Sequence, residues 1–276
     1  MEKYIKSPLN YTGGKYKLLK DIIPLFPNNI DTFVDLFGGG FNVGINIEAN
    51  KFVYNDILIP LVEILRLFYL EDTSQILKDI DILIEEFDLS KTNKEGYLKL
   101  RELYNSHEAL NPSIILYTLI CFSFNNQIRF NKKGGYNVPF GKDRSSFNPS
   151  LREKLIRFVN EIKKKNITFL NINFKEYEYK LGDFLYCDPP YLNSVATYNE
   201  NGGWTLQKEK ELLEYLDKAS KDGIKWALSN NLKYGNPLLE EWAKKYNIYY
   251  LNADYSNCSY HKIDRTKGNE ILITNY

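Results

Sequence analysis

TFVDLFGGGFNVGIN, residues 32–46, is an apolar run that stops at an acid and three consecutive glycines before a helix-period stretch begins. That order reads as a strand, a tight turn and a helix, the opening unit of an α/β sheet. Bare backbone at such a turn lets a ligand approach closely, and a helix N-terminus adds the positive end of its dipole. Gly38, Gly40 and Gly44 give GxGxxxG, which is not the dinucleotide fingerprint, so no pyrophosphate cradle is specified. Asp56 closes the next short strand, FVYND, at the distance of about 20 residues where an acid accepts hydrogen bonds from ribose hydroxyls. Together the two features point to a nucleoside-type cofactor; apart, they are a tight turn and a helix-capping Asp.

Further β-rich pieces recur at 51–54, 167–171, 183–187, 224–228, 247–251 and 270–274, with helix-period stretches between most of them, such as 61–70, 206–221 and 237–246. Strands alternating with helices predict a doubly wound, mostly parallel α/β sheet. The interval 72–126 departs from this: it reads as helices over 74–87, 94–105 and 112–124 with no strand, followed by the Gly- and Lys-rich loop NKKGGYNVPFGKDRSSFNPS. A helical insertion projecting from the sheet accounts for it. The boundaries are a first sheet part over 1–57, the insertion over 58–147 and a second sheet part over 148–276.

The net charge of +1 argues against a protein that coats nucleic acid. The charges are nonetheless segregated: residues 129–165 hold eleven Lys or Arg against three acids, and 71–88 hold seven acids and one Lys. Such a chain can present one basic face, although solvated helix faces give the same count. Cys121, Cys187 and Cys258 are far apart and odd in number, with no secretory leader ahead of them, which fits a reducing, cytoplasmic setting. SIILYTLICFSF, the longest apolar run, is shorter than the roughly 20 residues that span a bilayer, so no membrane role is implied. Two histidines and no CxxC or HExxH spacing leave no reason to expect a metal.

The second decisive stretch is FLYCDPPYL, residues 184–192. Prolines lack a backbone donor and fix φ, so they end the strand and hold the next few atoms in a stiff turn. The turn falls at the carboxyl end of a strand, the edge where open α/β sheets bind ligands. Asp188 and the Pro189 carbonyl are then two fixed acceptors, with no donor on Pro189 or Pro190 to interfere, and Tyr191 supplies a flat face. Two acceptors that take both N–H groups of an exocyclic amine return its lone pair to nitrogen, ready to attack a methyl carbon held in line. In isolation DPPY is a proline-rich turn with a local Asp cap. Near the start, SPLNYTGGKYKLL offers Tyr11 to pack on a flat ring and Lys15, on the first turn of a helix, to meet a carboxylate; singly, each is more often core or solvent-facing.

With NYTGGK, FVDLFGGG, YND, NKKGGYNVPFGK, YCDPPYL, LSNN and EILITNY in this order, the sequence resembles the Dam-type DNA adenine N6-methyltransferases of the D12 class, alpha group, with the bacteriophage branch nearest. The resemblance runs over nearly the whole chain. It implies a seven-stranded Rossmann-like methyltransferase sheet with an inserted helical target-recognition domain, S-adenosylmethionine as methyl donor, no metal, and an adenine rotated out of double-stranded DNA as acceptor. By the same route Tyr11, Gly13, Lys15, Asp35, Phe37, Gly38, Gly39, Gly40, Asp56, Phe174 and Asp188 line the donor pocket, with Phe174 stacking on the donor's adenine. Asp188, Pro189, Pro190 and Tyr191 hold the target base. In the insertion Phe124, Asn126, Gln127, Arg129 and Asn131 touch the flipped site and phosphates, and Pro139, Lys142 and Arg144 belong to the PFGKDR segment that reads a guanine edge within GATC. Ser256, His261 and Arg265 are further phosphate contacts by their polar setting. A cognate restriction endonuclease is a possible partner. RNA or a protein glutamine as acceptor, a non-catalytic DNA-binding protein and an NAD enzyme are the competing classes.

Overall fold

The computed structural model describes residues 3–193, 203–251 and 270–276. Seven strands form one sheet: β1 (Thr32–Asp35), β2 (Lys51–Asn55), β3 (Ile167–Leu170), β4 (Asp183–Cys187), β5 (Lys225–Asn231), β6 (Asn247–Tyr250) and β7 (Glu270–Thr274). Their order is β3-β2-β1-β4-β5-β7-β6. The first five pair in parallel, and β7 runs antiparallel between β5 and β6. Strand order reverses between β1 and β4, so the crevice for a ligand opens at the carboxyl ends of these two strands. Leu36 N–H donates to the Tyr186 carbonyl at 3.0 Å, and this pairing sets the glycine turn beside the proline turn.

Both central strands are buried at every position, as parallel strands covered on both faces must be. Side chains alternate between the faces: Phe33, Phe184 and Tyr186 join one apolar cluster, Val34, Leu185 and Cys187 the other. Each such large side chain contributes about 1.5–3 kcal/mol by leaving water. The second cluster is closed by α7 (Leu206–Lys221) and α8 (Pro237–Ala243). The first takes in α1 (Leu19–Ile22) and runs without a break into the insertion, α2 (Ile59–Leu70), α3 (Thr73–Glu86), α4 (Lys94–Ser106), α5 (Pro112–Phe122) and then α6 (Pro149–Ile162). The centre of the insertion is α5, buried along nine consecutive residues and surrounded by α2, α3 and α4. Its apolar run is therefore a core helix, apolar all round because it is covered all round.

Three expectations are corrected. No α-helix follows the glycine turn: Gly44–Asn46 makes a single 3-10 turn, so the proposed helix dipole is absent. The local side chains are committed elsewhere. Asn42 Oδ1 accepts from Ser7 N at 3.0 Å and Asn46 Oδ1 from Ile5 N at 2.7 Å, and the N-terminal segment covers the β1–β2 connection in place of a helix. Lys15 likewise caps a 3-10 turn, Tyr16–Leu18, rather than opening an α-helix. The helix read over 112–124 ends at Phe122, because Ser123 is extended, with φ −80° and ψ 160°, and Asn125 and Asn126 beyond it take left-handed φ of 54° and 52°. Ser256, Cys258, His261 and Arg265 lie outside the described residues.

Candidate active site

The glycine turn is bolted to β2. Gly38 N–H donates to the Asn55 carbonyl at 2.8 Å, Gly39 N–H to Asp56 Oδ2 at 3.0 Å, and Tyr54 Oη to the Gly39 carbonyl at 2.8 Å. Gly38 is glycine because the Tyr54 ring occupies the place of a side chain: a Cβ would come within 2.2 Å of it. Gly39 has φ +49°, the left-handed region that glycine enters freely. Phe41 shares that region, at φ 60°, and is held there by burial, edge-to-face on Tyr54 at 5.4 Å.

A cavity of about 430 Å³ opens at the switch point, within the size range of small-ligand sites. Tyr11, Gly13, Lys15, Asp35, Phe37, Gly38, Gly39, Gly40, Asp56, Phe174 and Asp188 all line it, and so do Pro189, Pro190 and Tyr191. Every residue proposed from the sequence for donor or amine therefore converges on one space.

Three carboxylates there differ in what holds them. Asp35 is buried and its Oδ1 has no hydrogen-bond partner among the described residues. Burial, and then the charges of Asp188 and Asp56, push its carboxyl well above the ordinary range. Asp56 accepts from Gly39 N–H and, at 2.9 Å, from Leu58 N–H; burial outweighs both bonds and raises it to about 6. Asp188 is also raised by burial, while the Lys15 ammonium, 2.8 Å from Oδ1, pulls it back. Lys15 is only 3% exposed, donates to the Gly13 carbonyl at 2.8 Å, and lies 5.1 Å from the centre of the Tyr191 ring. Tyr191 Oη stands 3.3 Å from Asp188 Oδ1 and 3.1 Å from Glu270 Oε2, and Glu270 is in turn held by Asn231 Nδ2 at 3.1 Å. The stiff turn is thus pinned from the N-terminal segment and from β5 and β7.

Of the described residues assigned to DNA in the insertion, Arg129 alone reaches the cavity; its guanidinium donates to Asn137 Oδ1 at 2.9 Å and to the Asn137 carbonyl at 3.0 Å. Asn126 is occupied structurally: Nδ2 donates to the Ile120 and Cys121 carbonyls at the end of α5. Asn131 Oδ1 accepts from Lys133 and Gly135 N–H and closes the glycine loop. Phe124, 40% exposed, sits beside exposed Pro139, whose carbonyl accepts from Phe124 N–H at 2.8 Å. Gln127 is half-buried, and Lys142 and Arg144 are exposed on the turn after Gly141.

Several lining residues went unread in the sequence, among them Asn42, Asn55, Arg129 as a cavity residue, Trp204 and Lys208. The signal for Trp204 is present: GGWT sets glycines and an aromatic ahead of a Thr N-cap, in the loop that follows the β4 edge. Among the described residues no group of three or more metal-ligating side chains occurs.

Comparison with known proteins gives a consistent result. The description of the D12 class of N6 adenine-specific DNA methyltransferases matches residues 11–257. The type II methyltransferase M.FokI of Planomicrobium okeanokoites is 47% identical over 283 residues, which cover 99% of this chain and 43% of that protein. The modification methylase StsI of Streptococcus sanguinis is 42% identical, over 100% of this chain and 43% of its own length. A DNA adenine methylase of Vibrio cholerae is 30% identical over 81% of this chain and 80% of its own length. The chain thus spans less than half the length of the first two relatives.

Proposed function

The chain belongs to the D12 class of N6 adenine-specific DNA methyltransferases, and we propose that it transfers a methyl group from S-adenosylmethionine to N6 of an adenine drawn out of double-stranded DNA. The observation that carries this reading is the position of Asp188, at the carboxyl end of β4, in the same cavity as the glycine turn and paired with a buried lysine.

The cavity suits the donor. The unpartnered Asp35 Oδ1 calls for a hydrogen-bond donor or a cation, Asp56 keeps acceptor capacity for hydroxyls, and Phe37 and Phe174, 5.4 Å apart, offer flat apolar walls. When bound, the donor supplies an electrophilic methyl on a positively charged sulfur. The protein's part is to present the amine. Asp188 and the Pro189 carbonyl accept its two N–H groups, Tyr191 borders the ring, and Lys15 keeps Asp188 oriented and favours its ionised, accepting form against burial. Drawing the base out is required because its amino group is paired inside the duplex.

Residues 58–147 serve as the target-recognition domain, with Phe124, Pro139, Lys142 and Arg144 exposed on it and Arg129 at the cavity. GATC is the target carried over from the Dam-type enzymes. No helix among the described residues is long and apolar enough to cross a membrane; the cytoplasm is the setting we assign, with a cognate restriction endonuclease as partner. Single-molecule sequencing of modified bases in DNA from cells that express the chain tests base and target together. N6-methyladenine within GATC is the expected result. N6-methyladenine in another context replaces the target alone, and unmodified adenine overturns the activity.

A further inference from the structure

Glu209 is a carboxylate buried to 1% exposure, on the first turn of α7, with no part in the chemistry above. Both its oxygens are taken. Oε2 accepts from the Trp204 indole Nε1–H, and Oε1 accepts from Asn236 Nδ2 at 2.6 Å. Asn236 cannot turn its amide round, because its Oδ1 caps α8 by accepting from Leu239 N–H at 3.1 Å. Two fixed donors thus converge on one side chain, and a carboxylate, which only accepts, satisfies both. Burial raises the Glu209 carboxyl above its ordinary range, and the Trp204 and Asn236 hydrogen bonds oppose that shift.

What this anchoring fixes is the indole. Trp204 lines the cavity, with its ring 5.5 Å edge-to-face from Phe37 and 5.9 Å from Phe174. The other two tryptophans are elsewhere: Trp226 and Trp242 stack on each other at 5.5 Å in the cluster under α7 and α8, and neither lines the cavity. A buried charge spent on holding one aromatic at a cavity wall makes sense where that wall meets a ligand. We propose that Trp204, held by Glu209 and Asn236, is a donor-binding residue that closes the aromatic wall of Phe37 and Phe174 against the donor's adenine ring. This rests on the donor assignment made above.

The test uses S-adenosylhomocysteine, the demethylated product, and adenosine as probes of the full chain, by calorimetry and by intrinsic tryptophan fluorescence. Wild type is expected to bind both probes with a change in emission. Trp204→Phe is expected to lose that change although Trp226 and Trp242 remain, and Trp204→Ala to weaken both probes about tenfold, in line with base–aromatic stacking. Glu209→Gln keeps the size of the side chain and puts an amide donor against one of the two fixed donors; it is expected to weaken both probes several-fold at unchanged circular dichroism. Absence of S-adenosylhomocysteine binding to wild type overturns the donor assignment and this inference with it. Wild-type binding that Trp204→Ala and Glu209→Gln leave within twofold, or an emission change that survives in Trp204→Phe, overturns the inference alone.

Discussion

Asp188 carries its charge where burial opposes it, and Lys15 is what offsets that opposition. The Asp188 side chain is 18% exposed, so solvent still reaches the pair, and losing the carboxylate removes an acceptor from the cavity rather than a support of the core. Asp188→Ala is therefore expected to abolish methyl uptake into duplex DNA while circular dichroism and much of the DNA binding persist; transfer retained near the wild-type rate removes Asp188 from the chemistry. Lys15→Met takes away the charge that lowers the Asp188 carboxyl, so the acidic limb of kcat/KM is expected to move to higher pH. An unmoved limb assigns it to another group. Asp56 gives a separate handle, since its folded-state value of about 6 lies above its unfolded one. Its ionised form is penalised in the fold, so its contribution to stability is fully present below about pH 4 and is lost as pH rises through 6. Donor binding as proposed, with the ionised Asp56 as acceptor, has the opposite trend. Affinity for S-adenosylhomocysteine is expected to weaken by up to about tenfold per unit below pH 6, and a flat affinity from pH 7 to 5 refutes the role of Asp56.

At the scale of elements, what was legible depended on whether a segment's partners lay close in sequence. β4, β7 and α7 have the bounds read from pattern alone, because alternation, a Thr cap and proline or glycine stops are local signals. The segment after β1 has a helical pattern without forming an α-helix, because its fate is decided by Ile5 and Ser7, which dock on Asn46 and Asn42 from far up the chain. The pairing of Lys15 with Asp188 and the bond from Asn236 to Glu209 are illegible in detail for the same reason: the fold, not the spacing, brings them together. The turn itself makes a testable element. Gly44 faces the Phe41 ring so closely that a Cβ would stand 2.1 Å from Cε2. Gly44→Ala is expected to force Phe41 from its left-handed pocket and destabilise the chain by about 1–3 kcal/mol, read as a lowered midpoint of thermal or urea unfolding. An unchanged midpoint means that the ring moves at no cost.

Over the whole molecule, the proposed function asks a chain with almost no net charge to hold a polyanion through the insertion. The acid-rich stretch forms α3 and the basic excess begins at the loop between α5 and α6, so charge was legible as segregation before it was legible as a surface. Arg129, pinned by Asn137 at the cavity, and Lys142 and Arg144, exposed on a turn, stand in different settings, and different settings predict different losses. A phosphate contact is sequence-blind and acts through counterion release, so Arg129→Ala is expected to weaken binding to every duplex alike and to lower the slope of log affinity against log salt by about 1. A base-edge contact is selective. Alanine at whichever of Lys142 and Arg144 reads a guanine is expected to relax the choice at one base pair by about 1–3 kcal/mol, with little change in binding to unrelated duplexes. Fluorescence anisotropy on a target duplex and on variants changed one base pair at a time, each at several salt concentrations, separates the two behaviours. Equal, sequence-blind losses in all three variants contradict this division, and would leave recognition to the exposed Phe124 and Pro139 edge of the insertion.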